Sequence, residues 1–191
     1  MAMAEPVPAD DAADLAPGDF AAIMRRHQSM VFSIALRFLA DPPAAEELAQ
    51  DVFVQLHARL NTLKSPEHVV FWLRKVTSHR CIDYLRRSRM PQVSLEDLPE
   101  SAVLEFAPDV QPPDPFLSRR LQQLVAALPG KARLMVILRY QEDLSAEDIA
   151  EVLEMPVASV KSNLRRALAM LRDKVARTMG EVRQVRSDKS D

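Results

Sequence analysis

Between Pro91 and Pro115 the chain reads PQVSLEDLPESAVLEFAPDVQPPDP. This stretch holds six prolines, six acids (Glu96, Asp97, Glu100, Glu105, Asp109, Asp114) and no Lys or Arg. Proline removes a backbone donor and turns the residue before it away from helix, while unopposed negative charge disfavours collapse. A segment of this length without a helical period is long for a loop inside one compact domain. It divides the 191 residues into two candidate folding units, 17–90 and 116–179, joined by a linker over 91–115. An acidic tail over 1–16 and a short tail over 180–191 flank them.

Both units read as helical. Only 3 Gly stand against 14 Pro, and aromatics make up 5% of the chain, which favours helices separated by proline-marked breaks over sheet. The expected fold is all-α. Phe20, Ile23, Met24, His27, Val31, Ile34 and Phe38 recur at three- and four-residue spacing and predict a first helix ending at Asp41-Pro42-Pro43. A second helix, Pro43 to Leu60, carries Leu48, Val52, Leu56 and Leu60 on one stripe, with acidic first turns that suit the helix dipole. A break over Asn61–Pro66 precedes a third helix, Glu67 to Arg89, with Val69, Trp72, Leu73 and Val76 as its seam.

In the second unit, helices are expected over Phe116–Leu128 and Lys131–Tyr140. The stretch LSAEDIAEVLEM follows, with Ser145 and Asp148 spaced as a capping box, and Pro156 suits the first turn of a longer helix. A short helix, a tight break and a longer helix make a helix-turn-helix.

No apolar run approaches the ~20 residues that cross a bilayer, and MAMAEPVPADDAADLAPGD lacks the basic start and apolar centre of a signal peptide. With 1 Cys, Cys81, there is no internal disulfide and no site of paired cysteines. The expectation is a soluble cytoplasmic protein without membrane insertion, and no cofactor is implied. The four histidines (His27, His57, His68, His79) show no metal-ligand spacing, and there is no Gly-rich phosphate loop. An enzyme is the weakest reading.

The formal net charge of -2 hides an uneven distribution. Arg74–Arg89 and Lys161–Arg177 each hold six Lys or Arg against one Asp, a formal charge of +5 apiece. Two basic helices set between acidic segments point to two contacts with a polyanion; solvated helix faces are the plainer alternative. On the helix beginning near Val157, one arc holds Val157, Val160, Leu164, Ala167, Leu168 and Leu171 and faces a core. The opposite arc offers Ala158, Ser159, Ser162, Arg165, Arg166 and Ala169, with Lys161 nearby. Short side chains let the backbone approach a major groove, and the cations a turn later reach phosphates or guanine edges. The other basic window, FWLRKVTSHRCIDYLRRSRM, interleaves aromatics with Arg74, Lys75, Arg80, Arg86 and Arg87. Trp72 lies on the apolar stripe and reads as core, whereas Phe71 points off it and is the stacking candidate for an unpaired base. One module for duplex and one for opened DNA suggest a strand-opening factor. A helix-turn-helix regulator acting alone and a protein-interaction module remain the alternatives.

AAEELAQDVFVQLHARL resembles D-A-E-D-L-V-Q-E-V-F-L-x-L-W, and FWLRKVTSHRCIDYLRRSR resembles W-L-Y-R-I-A-R-N-x-x-x-D-x-L-R-R. LPGKARLMVILRYQEDLSAEDIAEVLEMPVASVKSNLRRAL is similar to L-P-x-x-x-R-x-V-x-x-L-R-x-x-E-G-L-S-x-x-E-I-A-E-x-L-G-x-P-x-G-T-V-K-S-R-L-x-R-A-R. In this order the three segments resemble the extracytoplasmic-function (ECF) group of bacterial RNA polymerase sigma factors in the sigma-70 family. The resemblance implies a region 2 unit that reads and melts the −10 element and a region 4 unit that reads the −35 element. It implies docking of Glu47, Gln50 and Asp51 on the polymerase clamp helices, and contact of region 4 with the polymerase flap. It places Lys75, Ser78 and His79 near −10 DNA, with Arg86 and Arg87 on phosphates. The recognition helix would present Ala158, Ser159, Lys161, Ser162, Arg165 and Arg166 to the −35 element. An anti-sigma factor is expected as a further partner. His79 stands where Asn is usual, Ala158-Ser159 replaces Gly-Thr, Asn163 replaces the Arg of S-R-L and Leu168 the last Arg of R-A-R. These departures bear on promoter choice.

Overall fold

The computed structural model describes residues 20–88 and 115–187, and every described element is a helix or turn. The acidic N-terminal tail, the proposed linker up to residue 114 and the last four residues lie outside the described residues, while Pro115, expected in the linker, opens a helix. Seven α-helices lie among the described residues: α1 (Phe20–Leu39), α2 (Pro42–Arg59), α3 (Pro66–Ser88), α4 (Pro115–Ala126), α5 (Gly130–Tyr140), α6 (Ala146–Val152) and α7 (Val157–Ser187). A 3-10 turn, Leu60–Thr62, leads from α2 towards α3.

The helix ends follow local chemistry. α1 closes on Ala40, whose φ of 56° is left-handed and whose amide donates to the Leu36 carbonyl at 2.8 Å. Asp41 then caps α2 by accepting from the Ala44 amide at 3.2 Å, and Pro42 and Pro43 fill positions where a missing donor costs nothing. The expected acidic first turn of α2 is a correction: the helix starts at Pro42, its first turn holds no acid, and the negative group at the dipole's positive end is the Asp41 cap. α7 also runs past the expected end of the second unit at residue 179, to Ser187.

Helices α1 to α3 pack around Val31, Ile34, Phe38, Val52, Leu56 and Leu73, all fully buried. Leu134, Met135, Leu138, Ile149 and Val160 from α5, α6 and α7 are also fully buried and belong to the same apolar cluster. A smaller cluster of Leu128, Ala132, Val136 and Ala167 ties α4 and α5 to α7. The sequence reading, two helical units joined by a linker, leaves their mutual arrangement open; in the structure the second packs against the first. α5 lies along α1 and α3, and α6 meets α3. Arg133 fastens this joint. It donates to the Phe38 carbonyl at 2.6 Å and to the carbonyls of Ala126 and Leu128, with its guanidinium carbon 5.5 Å from the Phe38 ring centre. Burial lowers its pKa, so this cation is held by carbonyl dipoles rather than by water.

Candidate nucleic-acid interface

The helix-turn-helix is α6, the turn Leu153–Pro156 and α7. α6 has only seven residues, too few to stand without tertiary support. It is held at its start by the expected capping box: Ser145 Oγ accepts the Asp148 amide at 3.0 Å, and Asp148 Oδ2 accepts the Ser145 amide at 3.0 Å. The Ser145 hydroxyl also donates to Asp148 Oδ2 at 2.6 Å. These hydrogen bonds, from the Ser145 side chain first and its backbone second, hold the Asp148 carboxyl below its ordinary pKa. Ile149, Ala150 and Val152 bury the other side of the helix.

On α7, Val160 and Ala167 are buried and Val157, Leu164 and Leu171 pack on the apolar clusters. That orientation turns the opposite face outward. Ala158, Lys161, Arg165 and Arg166 are exposed, and Ser159 and Ser162 are half-buried between them. The structure therefore brings all six recognition-helix candidates to one face. Lys161 is paired with Glu147 of α6 at 2.8 Å, both side chains 61% exposed. An exposed pair of this kind is weak and readily exchanged for a phosphate. Arg166 donates to Ser162 Oγ at 2.9 Å, and Asn163 turns back to the Ser159 carbonyl at 2.8 Å.

On α2, Glu47, Gln50 and Asp51 are exposed together, while Leu48, Ala49 and Val52 face inward. One turn on from Asp51, Val54 is 69% exposed and adds an apolar element that the sequence pattern did not single out.

α3 departs most from expectation. Val69, Leu73 and Cys81 face the core, and burial pushes the Cys81 thiol pKa up, leaving it a packing residue. Phe71 is a correction: it is half-buried and packs against the core alongside Trp72, because α3 is covered on more than one side. Ser78 is a second correction. It is fully buried, its Oγ without a hydrogen-bond partner among the described residues, so in this arrangement it cannot touch DNA. Acids of the second unit meet α3 one turn before Ser78. Arg74 meets Glu142 at 3.2 Å and Lys75 meets Glu154 at 2.8 Å. A cleft of about 300 Å³ next to them is lined by His79, Ile82, Asp83 and Arg86 of α3 and by Lys131, Leu134, Leu153 and Met155 from across the joint. His79 is half-buried there, and Arg86 and Arg87 are exposed, with Arg86 3.6 Å from Asp83.

The family model for sigma-70 region 2 matches residues 23–90, and that for sigma-70 region 4 matches 118–171. The chain is 32% identical over 157 residues to the RNA polymerase sigma-E factor of Streptomyces coelicolor, covering 82% of this chain and 86% of that one. This chain is an ECF sigma factor of the sigma-70 family. It is also 26% identical over 172 residues to the ECF RNA polymerase sigma factor SigW of Bacillus subtilis, across 80% and 87% of the two chains. Against the longer probable RNA polymerase sigma factor RfaY of Xanthomonas campestris it is 30% identical over 152 residues, 78% of this chain and 38% of that protein. The fold of this sigma factor is similar to that of RpoE in its co-crystal with the anti-sigma factor NepR from Bartonella quintana. The TM-score is 0.63 at 19% identity, covering 83% of this chain and 97% of that one. Sigma factors form a family of non-catalytic transcription initiation factors. In these terms α1 to α3 are region 2, and the helix-turn-helix belongs to region 4.

Glu142, Glu154 and Arg133, which join the two regions, were not among the residues singled out from sequence. Signals were present: Arg133 and Glu142 fall on the Arg and Glu of the quoted family pattern, and Gly stands there where this chain has Glu154.

Proposed function

We propose that this sigma factor recruits core RNA polymerase to its own set of promoters, with the exposed face of α7 reading the −35 element and α3 engaging the −10 element. The observation that carries this reading is the outward face of α7, where Ala158, Ser159, Lys161, Ser162, Arg165 and Arg166 stand together on a helix fixed from behind by Val160 and Ala167. Small side chains at the helix start admit the backbone to the major groove. Arg165 and Arg166 then lie within reach of base edges and phosphates.

On α3, Lys75, His79, Arg86 and Arg87 supply the cations and donors for −10 DNA. Ser78 joins them only when region 4 has moved away. Region 2 docks on the polymerase clamp helices through Glu47, Gln50 and Asp51, whose exposure on α2 leaves them available, and region 4 engages the flap. The sigma factor performs no bond-making step; it acts in the cytoplasm, where polymerase is, and an anti-sigma factor holds it back. The solved relative is a sigma factor bound to one, which supports that last element.

Run-off transcription with purified core polymerase on a promoter library tests the proposal. Specific transcripts should appear only when polymerase and this chain are both present. A protein that binds one DNA site tightly and specifically without polymerase, and starts no transcripts with it, would be an operator-binding regulator instead.

A further inference from the structure

Three described residues other than glycine have positive φ: Ala40, Asp143 and Glu154, at 56°, 49° and 53°. Such positions favour glycine, or a short side chain such as Asp that bonds locally. Ala40 and Glu154 have neither advantage, but only Glu154 carries a side chain long enough for its surroundings to make use of. The side chain of Glu154 leaves the helix-turn-helix and meets Lys75 of α3 at 2.8 Å. Asp143 follows Glu142, the carboxylate that meets Arg74 of α3 at 3.2 Å with only 8% of its side chain exposed. Two consecutive cations of region 2 are thus each taken by an acid of region 4. The flanking contacts are neutral or carbonyl-bound: Gln141 Nε2 donates to Ser33 Oγ at 2.8 Å, and Arg133 donates to the Phe38 carbonyl at 2.6 Å.

We infer that Glu142 and Glu154 form a two-point electrostatic clasp that holds region 4 over α3 and withholds Lys75 and Ser78 from promoter DNA until the regions separate. The masking half of this inference rests on the promoter reading of α3 given above; the clasp itself rests on the contacts alone. Lys75 cannot serve a carboxylate and a phosphate at once, so polyanion and clasp compete for it. Ser78 shares the face of Arg74, Lys75 and Ile82 by helical spacing; it is fully buried while those three are partly buried, on the side of α3 where region 4 supplies Glu142 and Glu154. The Lys75–Glu154 pair is partly exposed, with side chains 31% and 63% accessible. Such a pair changes the ratio of open to closed forms by no more than about five-fold. The Arg74–Glu142 pair is better shielded, and losing one partner there leaves a poorly hydrated charge, so its effect is larger. Two contacts of this size bias an equilibrium without locking it, as a contact that must yield to polymerase requires.

The test uses the full chain with spin labels on Val54→Cys and Val175→Cys, exposed positions on the two regions, while buried Cys81 stays unlabelled. Glu154→Lys, which places two cations together at the same backbone position, should lengthen the inter-label distance in a measurable fraction of molecules. Adding Lys75→Glu should restore the short distance by reversing the pair. Without polymerase, Glu142→Gln/Glu154→Gln should bind promoter duplex several-fold more tightly than Glu46→Gln/Glu151→Gln, a control with the same change in net charge at exposed acids outside the clasp. An unchanged distance in Glu154→Lys, no recovery in the swap, or equal DNA affinity in the two double variants would overturn the clasp. Lys75→Ala that transcribes like wild type with polymerase would overturn the masking alone, because the distances report the clasp without reference to DNA.

Discussion

Removing the Ser145 hydroxyl tests how much of the helix-turn-helix rests on one side chain. In Ser145→Ala the Asp148 amide loses its acceptor at 3.0 Å, and Asp148 Oδ2 loses the hydroxyl donor at 2.6 Å. The reciprocal bond from the residue 145 amide to Asp148 Oδ2, also 3.0 Å, survives because it uses only backbone on that side. One of the two interlocking caps is therefore lost, for a cost of about 1 kcal/mol. That is roughly a five-fold drop in the ratio of folded to unfolded chain. With only seven residues, α6 has no longer run of helical bonds over which to spread the loss. Urea unfolding should show the midpoint fall with the slope unchanged, and hydrogen exchange should quicken first at α6 amides. Ser145→Thr keeps the acceptor and should recover most of the difference. The pH dependence has a definite sign. Because Asp148 titrates below its ordinary value when folded, its contribution is complete above the unfolded aspartate pKa and fades as pH falls through the lowered native one. Wild type and Ser145→Ala should therefore differ most above about pH 4 and converge in stronger acid. A Ser145→Ala protein as stable as wild type at neutral pH, or a gap that widens on acidification, would refute this account of the cap.

Two further outcomes bear on the interface. Arg165→Ala should weaken discrimination at one −35 position by about 1–3 kcal/mol, roughly five- to 150-fold, in transcription competed between matched and mismatched promoters. Glu47→Ala with Asp51→Ala should weaken binding to core polymerase in a pull-down titration while circular dichroism stays unchanged, since both side chains are exposed on α2.

Much of the architecture was legible because its causes are local. The Ser145–Asp148 spacing, the Asp41-Pro42-Pro43 break and the apolar stripe of α7 each fix a helix end or face through neighbours within a turn or two. Phe71 and Ser78 were misread for the opposite reason. α3 packs on α1 and α2 and is met as well by α5 and α6, more than forty residues further along the chain, and no periodicity within α3 carries that information. Placing Phe71 off the apolar stripe assumed that α3 has one buried side, whereas both Phe71 and Trp72 pack on the core cluster. The basic window of α3 pointed to a polyanion, and what its periodicity could not carry is that in the described structure Arg74 and Lys75 are answered by acids of the same chain. Only the unusual Glu at a left-handed turn position hinted that a side chain there was needed for more than the turn.

The joint between the regions also explains a glycine. Gly130 opens α5 with an ordinary negative φ, so its backbone does not demand glycine. Close approach does. A Cβ added there would overlap Leu85 Cδ2 of α3 and lie 3.7 Å from Phe38 Cζ of α1. A methyl group is tolerable, because the Leu85 methyl is the free end of a half-buried side chain and can rotate away. Alanine also restricts the unfolded chain, which favours folding by about 0.4–1 kcal/mol. These effects oppose each other, so Gly130→Ala should unfold within about 1 kcal/mol of wild type and keep the short inter-region distance. Gly130→Phe has no such escape: a ring cannot fit between α5, Leu85 and Phe38 unless α5 lifts from region 2. It should lengthen the distance between labels on Val54→Cys and Val175→Cys while the helical signal is retained. If Gly130→Phe kept the wild-type distance, α5 would not rest on α3 in solution.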